Sequence, residues 1–193
     1  HQALLQAVRS EVISKQRLEE ALQRILNLKS KILPFSQVEY NKLEHQELSE
    51  QIASLALQTI KNRSVSLKKE VVLFAPKILK TDIEQTSFPQ IASDCFFFSL
   101  NPSQDEYNKA QELAKNASSL VCFCYDAWKN PQQTTLIQSL LRTKKPIVLL
   151  SVKDPIDAHL FPDVDILITT FSPTVASIKA AYEKMQDQLD NSN

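Results

Sequence analysis

The sequence predicts an α/β fold, a three-layer α/β/α sandwich on a mainly parallel sheet. Three observations carry that prediction. From residue 71 onward, short apolar runs alternate with longer amphipathic stretches, the pattern of βαβ units. The runs themselves, such as Pro146–Leu150 and Ile166–Ile168, are too evenly apolar to keep a wet face and read as strands covered on both sides. Each run then closes in short polar residues: Ser151, Lys153 and Asp154 in one case, Thr169 and Thr170 in the other. In an open parallel sheet that carboxyl edge is where ligands gather.

Taken in order, residues 1–32 are helical in pattern. Leu4, Leu5 and Val8 form a first apolar stripe, and Leu18, Leu22, Ile25, Leu26 and Ile32 a second. Ser14 fits the N-cap of the second helix and Pro34 its stop. The stretch Ser36–His45 is polar and lacks strand character. A third helix is expected from about Glu47 to Ile60, with Leu48, Ile52, Leu55, Ala56 and Ile60 on one face. The strands should be Val71–Ala75, Cys95–Ser99, Leu120–Tyr125, Ile147–Ser151 and Ile166–Thr170. The helices between and after them should be about Gln104–Asn116, Gln132–Arg142 and Pro173–Gln188, the last capped by Ser172 with Pro173 at its first position. Residues 187–193 are polar and should fray.

Composition narrows the function. Lys+Arg and Asp+Glu both number 22, so a general polyanion binder is not expected and nucleic acid is not a partner. No apolar run reaches ~18 residues, so no membrane span is expected. The start, His1-Gln2-Ala3-Leu4-Leu5, has neither a signal pattern nor an initiator methionine, and reads as a cut inside a longer protein. Cys122 and Cys124 lie two apart on a strand and so share a face; with Cys95 they read as free thiols in a reducing compartment, the cytoplasm. Glycine is absent, where average usage of ~7% would place roughly 13. A P-loop or Rossmann turn needs glycine where backbone approaches phosphate, so nucleotide binding by those routes is excluded. No cofactor and no metal are expected, since no histidine is near the cysteines in sequence.

The carboxyl-edge segments are Tyr125-Asp126-Ala127-Trp128, Ser151-Val152-Lys153-Asp154 and Thr170-Phe171-Ser172. Asp154 and Ser172 read first as turn formers and caps. Asp126 and Trp128 read either as turn furniture or as recognition, because an exposed tryptophan presents a flat apolar ring. Ser151 lacks a glycine elbow, and His159 sits in a short helical stretch as a packed or surface residue. The pairs Asp154/Asp157 and Asp163/Asp165 offer two carboxylates each, with nothing to select one. A response-regulator receiver would need acidic residues after its first strand, where Pro76-Lys77 stands instead.

Four segments in one order resemble glycoside hydrolase family 3. "RIL-N-LK" at Arg24–Lys29, after "RLEEAL" and before Ile32-Leu33-Pro34-Phe35, looks like the closing helix of the family's barrel domain. "HQELSEQIASLALQTIKN", residues 45–62, followed by Ser66-Leu67, resembles the helix leading into its second domain. The strand Val71–Ala75 comes next. The stretch from Lys145 to Ala181 is similar to one that reads roughly "KPVVVVSLRSPYDL…ADAVLATYS", with Lys145-Pro146, Ser151, Pro155 and Asp157 in matching places. Lys153 stands for the usual arginine and Ile156 for the tyrosine. The likeness covers most of residues 1–182 and is greatest to the bacterial β-N-acetylhexosaminidase branch.

The resemblance implies residues 1–35 as terminal helices of a (β/α)8 barrel, 36–63 as linker and connecting helix, 64–188 as the α/β sandwich, and 189–193 as a frayed tail. It implies a parent enzyme that hydrolyses terminal N-acetylglucosamine from cell-wall glycans, in cell-wall recycling. The nucleophilic aspartate and a His–Asp acid/base pair of that family belong to the barrel, and neither a "KHFPGHG"-like segment nor the "SD" nucleophile motif is expected here. The chain is therefore expected to have no catalytic residues and no activity alone. Its partners should be the barrel domain and, in the full-length protein, the carbohydrate substrate; exposed helices could also join copies into a homo-oligomer. The substrate-rim candidates are Asp126, Trp128, Lys153 and Asp154. The alternative is a free-standing, non-catalytic binding or interaction module with a flavodoxin-like fold.

Overall fold

Val71–Pro76 is buried at every position, as a strand covered on both faces must be. In the computed structural model, which describes residues 2–32, 41–63, 65–67 and 70–190, it is β2 of a six-stranded sheet. Gln58–Asn62 is β1, Asp94–Phe98 β3, Ser119–Cys124 β4, Ile147–Ser151 β5 and Ile166–Thr169 β6. The strand order is β1-β6-β5-β4-β2-β3, parallel throughout except that β1 runs antiparallel to β6. The chain leaves β2 for β3 on one side, then returns to β4 on the other. That reversal makes the β2/β4 junction the switch point of the sheet.

Alternate strand residues fill two cores. Val72, Phe74, Leu120, Cys122, Cys124 and Leu149 face a layer that includes Ala110 and Ala114 of α6 (Gln104–Asn116) and Leu136, Ile137 and Leu140 of α7 (Pro131–Leu141). Leu73, Ala75, Val121, Phe123, Val148 and Leu150 face the other way. There they meet Ile83 of α4 (Lys80–Glu84), Phe88 of α5 (Phe88–Ile91) and Ile178, Ala181 and Met185 of α8 (Val175–Asp190). Phe88 packs edge-on against both Phe123 and Tyr182, with ring centroids 5.0 and 5.1 Å away. Each such fully buried side chain contributes about 1.5–3 kcal/mol by leaving water. The sandwich expected from the sequence is thus present, and Cys122 and Cys124 share a face. Burial pushes both thiols far above their ordinary range, so they act as small apolar side chains.

The chain forms two compact units, residues 1–41 and 42–193. In the first, α1 spans Gln2–Arg9 and α2 spans Lys15–Lys31. Ser14 caps α2 as expected, its Oγ accepting from Arg17 N at 3.1 Å. Neither helix buries a residue, and Leu18, Leu22, Ile25 and Leu26 form an exposed apolar stripe. The expected stop at Pro34, the first half of the polar stretch (36–40) and the last three residues of the tail lie outside the described residues.

Three expectations shift. The helix expected from Glu47 to Ile60 is α3, Lys42–Ala56, which packs on α8, and it ends early because Gln58–Asn62 becomes β1. Thr59 and Ile60 are β-branched, and the open edge of β6 supplies the hydrogen-bonding groups that decide for strand. This strand lies in the stretch expected as linker and connecting helix. α8 begins at Val175 rather than Pro173: Phe171 is left-handed (φ 57°), and Ser172 O accepts from Thr170 Oγ1 at 2.7 Å. Thr174 then caps the helix, its carbonyl accepting from Ile178 N at 3.0 Å. At the other end α8 runs through Asp190, past the expected fraying point.

Candidate functional site

At the carboxyl edge, β4 runs out into Tyr125 and Asp126. With no glycine available, Asp126 itself takes the left-handed turn (φ 48°, ψ 43°), a conformation aspartate tolerates better than most residues. A short 3-10 turn, Ala127–Lys129, leads from it into α7. Next to it β5 runs out into Ser151, Val152, Lys153 and Asp154, followed by a second 3-10 turn, Pro155–Leu160. Loops after adjacent parallel strands emerge side by side, and the four rim candidates are therefore brought together.

Their contacts are specific. Lys153 Nζ donates to Asp126 Oδ2 at 2.8 Å and lies 4.5 Å from the Tyr125 ring centroid. The bond to Asp126 raises the lysine's pKa. Lys129 Nζ stands 3.7 Å from the same aspartate oxygen and 4.6 Å from the centroid of Trp128. Trp128 Nε1 donates to Asp154 Oδ2 at 3.0 Å, while Asp154 Oδ1 accepts from Ile156 N at 3.0 Å. Asp154 is a cap, as its position suggested, and also an anchor for the indole. Trp128 keeps 47% of its surface exposed whereas Asp126 keeps 7%.

Asp157 holds this edge together. It is fully buried, and its carboxylate accepts from Ala127 N at 2.9 Å and Trp128 N at 3.0 Å. Desolvation raises its pKa, against the lowering effect of the two N–H donors. The shared Pro155-x-Asp157 spacing thus has a local cause: the turn after β5 carries the acceptor that shapes the turn after β4. Lys145-Pro146 has one too, since Lys145 Nζ donates to the carbonyls of Ala114 and Lys115, both at 2.6 Å, and of Ala117, closing the end of α6.

A second polar knot sits at the β2/β3 end of the same edge. Glu106 accepts from Lys77 Nζ at 2.7 Å, Ser99 N at 3.0 Å, Ser99 Oγ at 2.9 Å and Ser103 N at 3.0 Å. Desolvation opposes its ionisation, but these donors, Lys77 foremost, hold its pKa at about 2. Glu106 carried no chemical motif in the sequence; its one signal there is Ser103-x-x-Glu106, the spelling of a capping box.

The carboxylates of this rim are each engaged by donors of the chain itself. Asp126 is engaged by two lysines, Asp154 by the indole and a backbone N–H, and Asp157 by two backbone N–H groups. Asp126 is thus held in ion pairs with Lys153 and Lys129. Ser151 Oγ is buried and donates to Asp154 O at 3.0 Å, and His159 is exposed. The pair Asp163/Asp165 lies at the opposite, amino edge, where Asp165 Oδ2 accepts from Ile147 N at 3.2 Å. The dipeptide Ser93-Asp94 does occur, contrary to the expectation of no "SD". It opens β3 at the amino edge, and Asp94 Oδ1 accepts from Cys95 N at 2.7 Å rather than facing a site. Among the described residues no group of three His, Cys, Asp or Glu side chains could hold a metal, and no helix is long and apolar enough to cross a membrane.

No family model and no curated protein matches the sequence. Solved structures do match the fold. A family 3 β-N-acetylglucosaminidase from Paenibacillus sp. str. FPU-7 superposes with a TM-score of 0.71 at 22% identity, over 97% of this chain and 40% of that one. A fungal multi-domain family 3 β-N-acetylglucosaminidase gives 0.67 at 21% identity, over 93% and 23%. The β-N-acetylglucosaminidase of Thermotoga maritima gives 0.53 at 13%, over 94% and 39%. The fold is that of the C-terminal domain in glycoside hydrolase family 3. At these identities the likeness is one of fold, and the chain spans about two fifths of the Paenibacillus enzyme.

Proposed function

We propose that this chain is the non-catalytic α/β part of a family 3 glycosidase. The parent enzyme would be a β-N-acetylglucosaminidase acting on terminal N-acetylglucosamine of cell-wall glycans. What carries the reading is that nearly all of the chain, 97%, superposes on only 40% of such an enzyme. The missing share is where the resemblance puts the nucleophile and the acid/base pair. At the carboxyl edge Asp126, Asp154 and Asp157 are each held by donors of this chain, whereas a retaining glycosidase uses two carboxyl groups flanking the bond. The edge formed by Trp128, Asp126, Lys153 and Asp154 would serve as a rim, with the free face of the indole stacking on a sugar ring. The exposed stripes of α2 (Leu18, Leu22, Ile25, Leu26) and α3 (Leu48, Ile52, Leu55) would be covered by the barrel domain or a second copy. Three free thiols fit a reducing compartment, the cytoplasm.

The test is hydrolysis of a chromogenic N-acetylglucosaminide by the purified 193-residue protein. No turnover above the buffer rate is expected, because rim contacts cannot replace absent catalytic groups. Saturable turnover would overturn the proposal.

A further inference from the structure

The opposite edge of the sheet carries an arrangement that the rim does not use. A cavity of about 550 Å3 opens at the amino ends of β5 and β6, bounded by the last turn of α7 and the chain entering β6. That volume is within the range of small-molecule sites. Its charged lining comprises Arg63, Arg142, Lys144, Lys145, Asp163 and Asp165. Two of the six are committed elsewhere: Lys145 to the carbonyls ending α6, and Asp165 to Ile147 N. Among the described residues, Arg63, Arg142 and Lys144 make no ion pair with any carboxylate. In a chain with equal numbers of acidic and basic residues, three unpaired cations at one cavity are a local surplus. With Lys145 the lining carries four cations against two carboxylates, Asp163 and Asp165.

The backbone adds a second observation. Lys144 is left-handed, with φ 56°, at the position after α7 where glycine would sit without strain. A lysine there places an ammonium beside the cavity at a conformational cost of about 1 kcal/mol. Leu160 and Pro162 supply apolar wall. Guanidinium groups bind carboxylate and phosphate oxygens bidentately, and Arg63, Arg142 and Lys144 are all exposed to an incoming ligand.

We infer that this amino-edge cavity binds a small organic molecule bearing an oxyanion, phosphate or carboxylate, through Arg63, Arg142 and Lys144. It lies across the sheet from the rim and does not depend on the rim's role.

The experiment titrates the 193-residue protein with inorganic phosphate, glucose 6-phosphate and glucuronate at low salt, following backbone amide signals by NMR. Saturable shifts confined to Arg63, residues 141–147 and residues 160–166 are expected, with a Kd of roughly 1 mM or tighter for one organic anion. Tighter binding of glucose 6-phosphate identifies phosphate as the group read; tighter binding of glucuronate identifies carboxylate. Arg142→Met and Lys144→Met, which keep the aliphatic stems, should each weaken binding about tenfold. Asp163→Asn should strengthen it, and Lys80→Met, a distant surface lysine, should leave it unchanged. Shifts that fail to saturate by about 20 mM with all three probes, or an equal loss in Lys80→Met, would overturn the inference.

Discussion

Replacing Glu106 by Gln tests how the carboxyl edge is held. The carboxylate joins the end of β2, through Lys77, to the end of β3, through Ser99, and to the first turn of α6, through Ser103. An amide keeps one acceptor oxygen, turns its NH2 toward groups that are themselves donors, and loses the charge. Lowering a carboxyl from an ordinary 4.5 to about 2 corresponds to an upper limit of roughly 3 kcal/mol. Lys77 is 60% exposed, so solvent screening reduces this, and about 1–2 kcal/mol is expected at neutral pH. In a domain of this size that is a fall in Tm of about 3–6 °C. The sign with pH follows from the depressed pKa. The stabilisation is complete above the unfolded value near 4.5 and is lost as pH falls toward about 2. Urea denaturation of wild type and E106Q near neutral pH and near pH 3, a window set by that linkage, reads both effects. A gap under about 0.3 kcal/mol at neutral pH, or one that does not narrow in acid, would refute the reasoning.

Asp157→Ala should cost about 2–4 kcal/mol in chemical denaturation, because it orphans the N–H groups of Ala127 and Trp128. Asp157→Asn keeps one acceptor but turns its NH2 toward the other N–H, and should cost about 1–2 kcal/mol. Because burial raises this carboxyl above its ordinary 3.8, wild type should lose stability relative to D157N as pH rises through that raised value. Lys145→Met leaves the carbonyls of Ala114, Lys115 and Ala117 without their shared donor and should cost about 1–3 kcal/mol, read as a lower urea midpoint. Lys144→Gly should instead raise stability by about 0.5–1 kcal/mol by relieving a left-handed lysine, while weakening oxyanion binding in the NMR titration.

The sandwich was legible because buried parallel strands have no wet face. β2, β4 and β5 carry unbroken apolar runs that no amphipathic helix would need. The strand β1 was not legible, because Gln58–Asn62 has an ordinary polar pattern and becomes a strand only when the edge of β6 is there to pair with it. The start of α8 was misplaced for a similar reason: Ser172-Pro173 is a good local cap, but Thr170 claims the Ser172 carbonyl and moves the helix two residues on. At the rim, the clustering of Asp126, Trp128, Lys153 and Asp154 followed from parallel topology alone. The part played by Asp157 did not, because its partners are backbone N–H groups 29 and 30 residues away, which carry no side-chain signature.

The function proposed above has the carboxyl edge of this domain bordering a sugar site whose chemistry lies in another domain. The most direct measurement joins this chain to the barrel domain proposed for its parent protein and determines kcat/KM on a chromogenic N-acetylglucosaminide for wild type, Trp128→Ala and Asp126→Ala. Loss of the indole face should lower kcat/KM by about tenfold, mainly through KM. Loss of Asp126, which pairs with Lys153 and sets the turn presenting Trp128, should lower it in the same direction. An unchanged kcat/KM in both variants, with folding intact, would contradict the account and leave the edge a structural part only.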